Sequence, residues 1–138
     1  MLTANHIDAI AAAYFKAYPP GIACTTLAGA VQEIRDTFAG EYGALRYDAS
    51  AIAVINHRVV GAVLVVHRSI WDSDLLGPFI IDLFVDPAAR GQGLGKTLLH
   101  HAINTCAIAG DEQISLRIGD GTSLAAHALY EGLGFVRR

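Results

Sequence analysis

The stretch from Val85 to Leu99, VDPAARGQGLGKTLL, restricts the possible folds of this chain more than any other. Three glycines, Gly91, Gly93 and Gly95, stand at every second position between an apolar run and a helix-like run. Each glycine costs roughly 0.5–1 kcal/mol relative to alanine inside a regular element. A segment that keeps three of them needs left-handed dihedral angles or a close approach of the backbone to a ligand. The stretch therefore predicts a strand, a glycine-rich turn and a helix.

Three kinds of phosphate-binding loop compete for these glycines. The P-loop of ATPases needs G-x-x-x-x-G-K-[ST]; the end fits, but Arg90 stands where the first glycine belongs. The dinucleotide fingerprint G-x-G-x-x-G differs in spacing from the G-x-G-x-G found here. A cradle for a pyrophosphate, formed by loop amides and the positive end of a helix dipole, fits the spacing, and Arg90 and Lys96 add positive charge. A glycine-rich turn that binds no ligand remains an alternative on composition alone.

Composition limits the class of protein. The 138 residues predict a single domain over 1–138, with 53% apolar and 17% charged residues. The longest apolar run, Val59 to Val66, is far shorter than the about 20 residues of a membrane span. A net charge of −3 and a pI of about 6.0 argue against nucleic acid as a partner. Two separated cysteines, Cys24 and Cys106, and no signal-peptide pattern predict a cytoplasmic protein with free thiols.

Periodicity predicts the order α-α-β-β-β-α-β-α-β, which indicates one sheet with helices packed on it. Asn5 is expected to cap the first helix, and Thr25 or Thr26 the second, which ends at Gly40. The later elements are predicted as follows: a hairpin of residues 51–55 and 59–66 around Asn56-His57, a loop over 67–78, a strand over 79–85, a helix from Leu94 to a stop at Gly110, a strand over 113–118, a helix over 123–131 ended by Gly132, and a strand from Gly134.

Two groups of residues carry a resemblance to a known family. The first is FIIDLFV over 79–85 with Asp86-Pro87 and the RGQGLG of 90–95; the second is A-x-x-L-Y-x-x-L-G-F over 126–135. Together they resemble the acetyl-CoA motif and the terminal signature of the GNAT superfamily of N-acetyltransferases. The resemblance covers residues 79–136, whereas residues 1–78 agree only in the order of elements. It implies an α/β fold with a mixed, mostly antiparallel central sheet flanked by helices, its first and last strands shortened or absent.

The resemblance implies acetyl-CoA as co-substrate and no metal. Loop amides would bind the coenzyme pyrophosphate, and the strand before the loop would separate from the strand over 113–118, so that pantetheine hydrogen-bonds along its edge. Ser123 replaces the asparagine that often opens the next helix in the family, and can still cap it. The residues implied in coenzyme binding are Leu83, Phe84, Val85, Arg90, Gly91, Gln92, Gly93, Leu94, Gly95, Lys96 and Ser123.

The chemistry of acetyl transfer needs a base, a stabilised thioester oxygen and an acid for the leaving thiolate. Tyr130 resembles the general acid of the family; a packing role is its alternative. Asp82, the carboxylate of the motif strand, is the first candidate for the base, directly or through water, because an unsatisfied acid in an apolar strand is costly. A structural acid bonded to a loop amide is its alternative. Trp71 and His127 are weaker candidates for contact with the acceptor.

The predicted function is therefore N-acetyl transfer, by direct attack, to a primary amine of a small molecule or peptide. The alternatives are a non-catalytic acyl-CoA-binding or regulatory domain, or one half of a tandem enzyme. The short chain ends predict a homodimer, because a strand over 113–118 would have an unpaired, alternately apolar edge.

Overall fold

The computed structural model of the chain describes residues 2–18, 25–117, 130, 132, 134 and 135. Up to residue 117, three α-helices and four strands follow one another in the predicted order. The elements are α1 Ile7–Ala17, α2 Leu27–Ala39, β1 Ala51–Ile55, β2 Arg58–Val66, β3 Phe79–Val85, α3 Leu94–Ile108 and β4 Ser115–Leu116. Short 3-10 turns, Ala4–His6 and Pro87–Ala89, lie before α1 and α3.

The four strands form one sheet in the order β1-β2-β3-β4. The first two pairings are antiparallel and the third is parallel, which confirms the predicted mixed, mostly antiparallel sheet. Helices α1 and α2 cover one face, where Ile10 and Ile34 pack with Phe84. Helix α3 covers the other face, where Leu99 packs with Val63. Both cores exclude water because each helix turns an apolar stripe toward the sheet.

Local sequence signals account for several boundaries. Asn56 and His57 have φ of 51° and 63°, the left-handed pair that a two-residue hairpin turn requires. The Thr26 hydroxyl accepts from the Gly29 amide and caps α2, and Gly40 ends it at φ 87°. The expected cap at Asn5 is wrong. Thr3 caps a 3-10 turn with His6 instead, and α1 follows that turn directly, with His6 as its N-cap.

A bulge in β3 sets the faces of its side chains. Leu64 pairs with Asp82 and Val65 pairs with Ile80, so Ile81 is an extra residue without a partner on β2. After the bulge, alternation places Asp82 on the α1 side of the sheet, opposite Leu83.

Gly61 permits the close contact between β2 and β3 at their paired ends. A Cβ at Gly61 would lie 2.7 Å from the Phe84 carbonyl oxygen and 3.3 Å from the Val85 Cα. No side chain can occupy that space without moving β3. Gly61 therefore holds the last residues of β3 against the centre of the sheet.

Strand β4 is shorter than predicted. It covers Ser115–Leu116 and pairs with Phe79 and Ile80 of β3. Residues 113, 114 and 117 lie outside the strand, and residue 118 lies outside the described residues. The bulge at Ile81 follows the last paired residue directly, and a bulge bends a strand and ends regular pairing there.

The chain near its C-terminus also differs from the prediction. Tyr130 and Gly132 are helical, so the helix passes the expected stop at Gly132. Gly134 has φ 91°, and the Phe135 amide donates to the Tyr130 carbonyl at 3.1 Å, which is the closing bond of a Schellman end. Gly134 therefore ends a helix and does not begin a strand; the rest of the predicted strand lies outside the described residues.

Candidate active site

The glycine loop joins the end of β3 to α3. The Asp86 carboxylate accepts from the Ala88 amide at 3.0 Å and fixes the first turn of the loop. Gly91 and Gly93 follow with φ of 85° and 76°, values that non-glycine residues seldom adopt. A Cβ at either glycine would meet nothing within 4 Å. The two glycines are therefore needed for their dihedral angles, and the space beside them is open.

Helix α3 presents the amides of its first turn beside this open space. Gly93 is the N-cap and no side chain caps the helix. The Gly93 carbonyl accepts from the amide and from the hydroxyl of Thr97, both at 3.0 Å, which fixes the turn from within. Uncapped amides and the helix dipole favour an anion, and Lys96 is exposed on the same turn. The predicted coenzyme-binding residues Gln92, Leu94 and Gly95 belong to this loop and turn.

The edge of β3 is the second part of the site. Pairing with β4 stops at Ile80, so residues 81–85 have no strand partner on that side among the described residues. The Asp86 amide donates to the Val60 carbonyl at 2.7 Å, so alternation turns the amide of Val85 away from β2, toward the gap. An extended ligand could pair with this edge as an added strand.

The Arg90 side chain connects the loop to the rest of the fold. Its Nη2 donates to the Ala17 carbonyl at 2.8 Å and its Nε donates to the Val85 carbonyl at 3.2 Å. The guanidinium thus neutralises the negative C-terminal end of α1. The sequence suggested that this charge adds to a pyrophosphate cradle; in the structure it lies between α1 and β3.

Asp82 is a partly buried acid on the α1 side of the sheet. The Tyr18 hydroxyl lies 3.5 Å from its Oδ1. Burial raises the pKa of Asp82 to about 7, repulsion from Glu33 adds to the rise, and the Tyr18 hydrogen bond lowers the pKa in part. A carboxyl group that titrates near neutral pH can accept and release a proton under physiological conditions.

Tyr130 is buried on the α3 side, where its ring meets Phe135 edge-on at 6.0 Å. Burial raises the pKa of Tyr130, so the hydroxyl keeps its proton at neutral pH. The pKa of Tyr18 is raised chiefly by burial, then by Asp82, and to a smaller extent by Tyr130. Tyr130 and Asp82 therefore lie on opposite faces of the sheet, Tyr130 in the core under α3 and Asp82 beside Tyr18 on the α1 side.

Trp71 packs against the loop and strand that surround it. Its ring is stacked on Tyr42 at 6.0 Å, meets Phe79 edge-on at 6.0 Å, and lies 5.8 Å from the Arg117 guanidinium carbon. Half of the side chain is exposed, yet these contacts hold the long loop to the first residue of β3. Ser123 and His127 lie outside the described residues.

Comparison with known proteins gives the family. Residues 47–137 match the family model described as the GNAT acetyltransferase domain, about two thirds of the chain. The chain belongs to the GNAT family. A mycothiol acetyltransferase from Kocuria rhizophila is 42% identical over 72 residues, which cover 52% of this chain and 23% of the relative. The chain thus spans about a quarter of that curated relative.

Two solved structures show the same GNAT fold. A protein from Pyrococcus horikoshii OT3 superposes with a TM-score of 0.78 at 18% identity, covering 100% of this chain and 85% of the other. The aminoglycoside N-acetyltransferase AAC(6')-Iy in complex with CoA superposes with a TM-score of 0.69 at 16% identity. The match covers 99% of this chain and 85% of the other.

Sequence reasoning missed two residues around Asp82 in this GNAT domain. Tyr18, at the end of α1, lies 3.5 Å from its carboxylate, and Glu33 of α2 repels its charge, so both act on its pKa. The only signal for Tyr18 was its spacing of four residues from Tyr14, which places both rings on one helix face. Nothing in the sequence shows that this face meets residue 82.

A separate cavity of about 440 Å³ lies between α1 and the β1-β2 hairpin. Its walls include His6, Lys16, Ile52, Arg58 and Asp86, and neither Asp82 nor Tyr130 lines it. We therefore place the chemistry at the edge of β3 and not in this cavity. Within the described ranges, no cluster of side chains suits a metal ion, and no helix is long and apolar enough to cross a bilayer.

Proposed function

We propose that this GNAT domain transfers the acetyl group of acetyl-CoA to a primary amine of a small molecule or peptide by direct attack. The observation that carries the proposal is the joining of two features. The first is an open, uncapped helix start that follows glycines of left-handed φ. The second is the strand that leads into this loop, whose edge beyond Ile80 has no strand partner in the part of the chain that the structure describes. The first suits a pyrophosphate and the second suits the amides of pantetheine.

Three groups of the chain have separate roles in the proposed reaction. Asp82 takes the proton from the acceptor ammonium, directly or through water, so that the nitrogen lone pair can attack the thioester carbon. The Val85 amide faces the gap and donates to the oxygen on which negative charge develops. Tyr130 donates its proton to the leaving thiolate as the carbon–sulfur bond breaks. The ammonium loses two protons in becoming an amide. The first passes from Asp82 to solvent, and the second, lost from the nitrogen as the tetrahedral intermediate collapses, replaces the proton that Tyr130 gives to the thiolate.

A second candidate is a coenzyme-binding half of a longer enzyme. The observation that favours it is the length of the curated relatives, of which the matched residues of this chain cover 23% and 29% in two cases. In that case the domain would bind acetyl-CoA without turning over amines. For the chain as an enzyme in its own right, we propose a cytoplasmic homodimer.

Thermal unfolding and turnover test both candidates. Acetyl-CoA should raise the melting temperature, by an amount that corresponds to about 2.7 kcal/mol at 100 times its Kd. ATP and NAD are the controls and should leave it unchanged. Release of free CoA that depends on an added amine identifies the enzyme, whereas binding without release identifies the non-catalytic domain. A shift with ATP and none with acetyl-CoA would reject both.

A further inference from the structure

Two aromatic rings fix the position of Tyr18. Its ring meets Tyr14 at 5.0 Å and Phe84 at 6.2 Å, and Tyr14 meets Phe84 at 5.4 Å. Tyr14 meets Tyr18 and Phe84 at 61° and 76°, the edge-to-face arrangement that aromatic quadrupoles favour, and Tyr18 is tilted by 56° to Phe84. A ring held on two sides in this way has little freedom to reorient.

The backbone at the end of α1 directs the same ring. Tyr18 is the C-cap, with φ −101° and ψ 142°, because the residue before Pro19 is excluded from the helical region. Arg90 binds the carbonyl of the preceding residue, Ala17, at 2.8 Å. Tyr18 is therefore fixed by α1, by β3 and by the glycine loop together.

The hydroxyl of Tyr18 faces the carboxylate of Asp82. The separation of 3.5 Å is long for a hydrogen bond, and catalytic hydrogen bonds commonly tighten only when substrate is bound. The other titratable groups around this pair are Tyr14 and Tyr130, which act on Tyr18; Glu33 from α2, which repels a charge on Asp82; and Tyr42, which donates to Glu33 at 2.9 Å. Tyr18 is thus the neighbour that favours the ionised form of Asp82, against burial and against Glu33.

We infer that Tyr18 is a positioning residue for the proposed acetyl transfer: its hydroxyl holds the Asp82 carboxylate ionised and turned toward the acceptor amine. The inference rests on the proposed function, in which Asp82 is the base. Tyr18 itself touches neither substrate nor coenzyme in this role. It donates a hydrogen bond and keeps its own proton throughout, so the proton balance of the reaction is unchanged.

The test is Tyr18→Phe, which keeps the ring contacts and removes the hydroxyl. The acid limb of the pH–rate profile should move to higher pH, because the neutral form of Asp82 is then more populated at a given pH. We expect the rate at pH 6 to fall about 3- to 10-fold and the rate at pH 9 to change little. Carbon-13 NMR of the side-chain carboxyls should show Asp82 titrating at higher pH in the variant than in the wild type.

The matched control is Tyr14→Phe, the same chemical change one helical turn earlier in the same ring group. It should leave both the acid limb and the NMR titration of Asp82 as in the wild type. An unchanged Asp82 titration in Tyr18→Phe, or an equal loss of rate at pH 6 and pH 9, would overturn the inference. The NMR titration needs no turnover, so it separates the two proposals: a wild type that acetylates no amine would refute the function even where the Tyr18–Asp82 contact is seen.

Discussion

Asp82 carries a carboxylate within a strand whose other residues are apolar, and its pKa has stability consequences. The pKa is raised from 3.8 to about 7. Between those pH values the folded chain binds more protons than the unfolded chain, so the free energy of unfolding falls as pH rises through this window. A carboxyl group that lowers the stability of the fold at neutral pH suits a catalytic role better than a structural one.

Replacement of Asp82 by asparagine should therefore stabilise the fold and impair catalysis. At pH 8, Asp82→Asn should raise the free energy of unfolding by on the order of 1–3 kcal/mol, and the gain should shrink toward pH 5, where the wild-type carboxyl is already largely protonated. Urea unfolding at the two pH values measures this. Turnover should fall by about 10²- to 10⁴-fold. Equal destabilisation at both pH values would show that the carboxylate is a structural partner.

Tyr130 permits a similar separation of packing from chemistry. Tyr130→Phe keeps the ring against Phe135 and removes the hydroxyl. If the hydroxyl protonates the leaving thiolate, turnover should fall roughly 10- to 1000-fold while the affinity for CoA changes little. Steady-state kinetics together with CoA titration measures the two effects. Unchanged turnover would reduce Tyr130 to a packing residue.

At the scale of elements, the glycine loop and α3 act as one unit, and a pair of substitutions tests it. Gly93 and Gly110 flank α3, both have positive φ, and a Cβ at either has open space around it. Valine at each position should strain the backbone by a similar amount, about 1–3 kcal/mol. Only Gly93→Val should abolish CoA binding in a titration, because only that position lies in the loop. Normal binding by Gly93→Val would place the pyrophosphate elsewhere.

Local sequence signals predicted where the helices and strands lie better than they predicted which residues contact one another across the fold. The bounds of β3, the turn at Asn56-His57 and the end of α2 at Gly40 all follow from neighbouring residues, because strand patterning and positive φ are local properties. The stop at Gly132 was wrong because two nearby glycines could each end the helix, and only Gly134 has the left-handed conformation. The sequence alone could not choose between them.

The candidate site was predictable in part for the same reason. The loop from Arg90 to Lys96 is contiguous, so its motif could be found in the sequence. The contact between Tyr18 and Asp82 joins residues 64 positions apart and depends on a bulge at Ile81, which no local pattern indicates. The side chain of Arg90 was likewise assigned to a ligand because its partner, the Ala17 carbonyl, is distant in sequence.

For the whole molecule, the homodimer stays a prediction, and its structural basis has changed. Of the predicted edge over 113–118, the described residues form a strand at Ser115–Leu116, whereas β1 has five residues at the other edge of the sheet. Light scattering at micromolar concentration should give twice the chain mass of 14.6 kDa. Val54→Lys, at an exposed position of β1, should leave that mass unchanged if the interface lies near the C-terminus. A mass of 14.6 kDa for the wild type would reject the dimer.

Gly61 has a consequence for how relatives of this chain can diverge. The spacing between its Cα and the end of β3 leaves no room for even a methyl group, since a Cβ would lie 2.7 Å from the Phe84 carbonyl oxygen. Backbone geometry thus excludes other residues at this position, although Gly61 has no role in the proposed reaction. A glycine that is invariant at this position among related proteins would reflect a steric requirement of the sheet. It would therefore be kept even in relatives that have lost acetyl transfer.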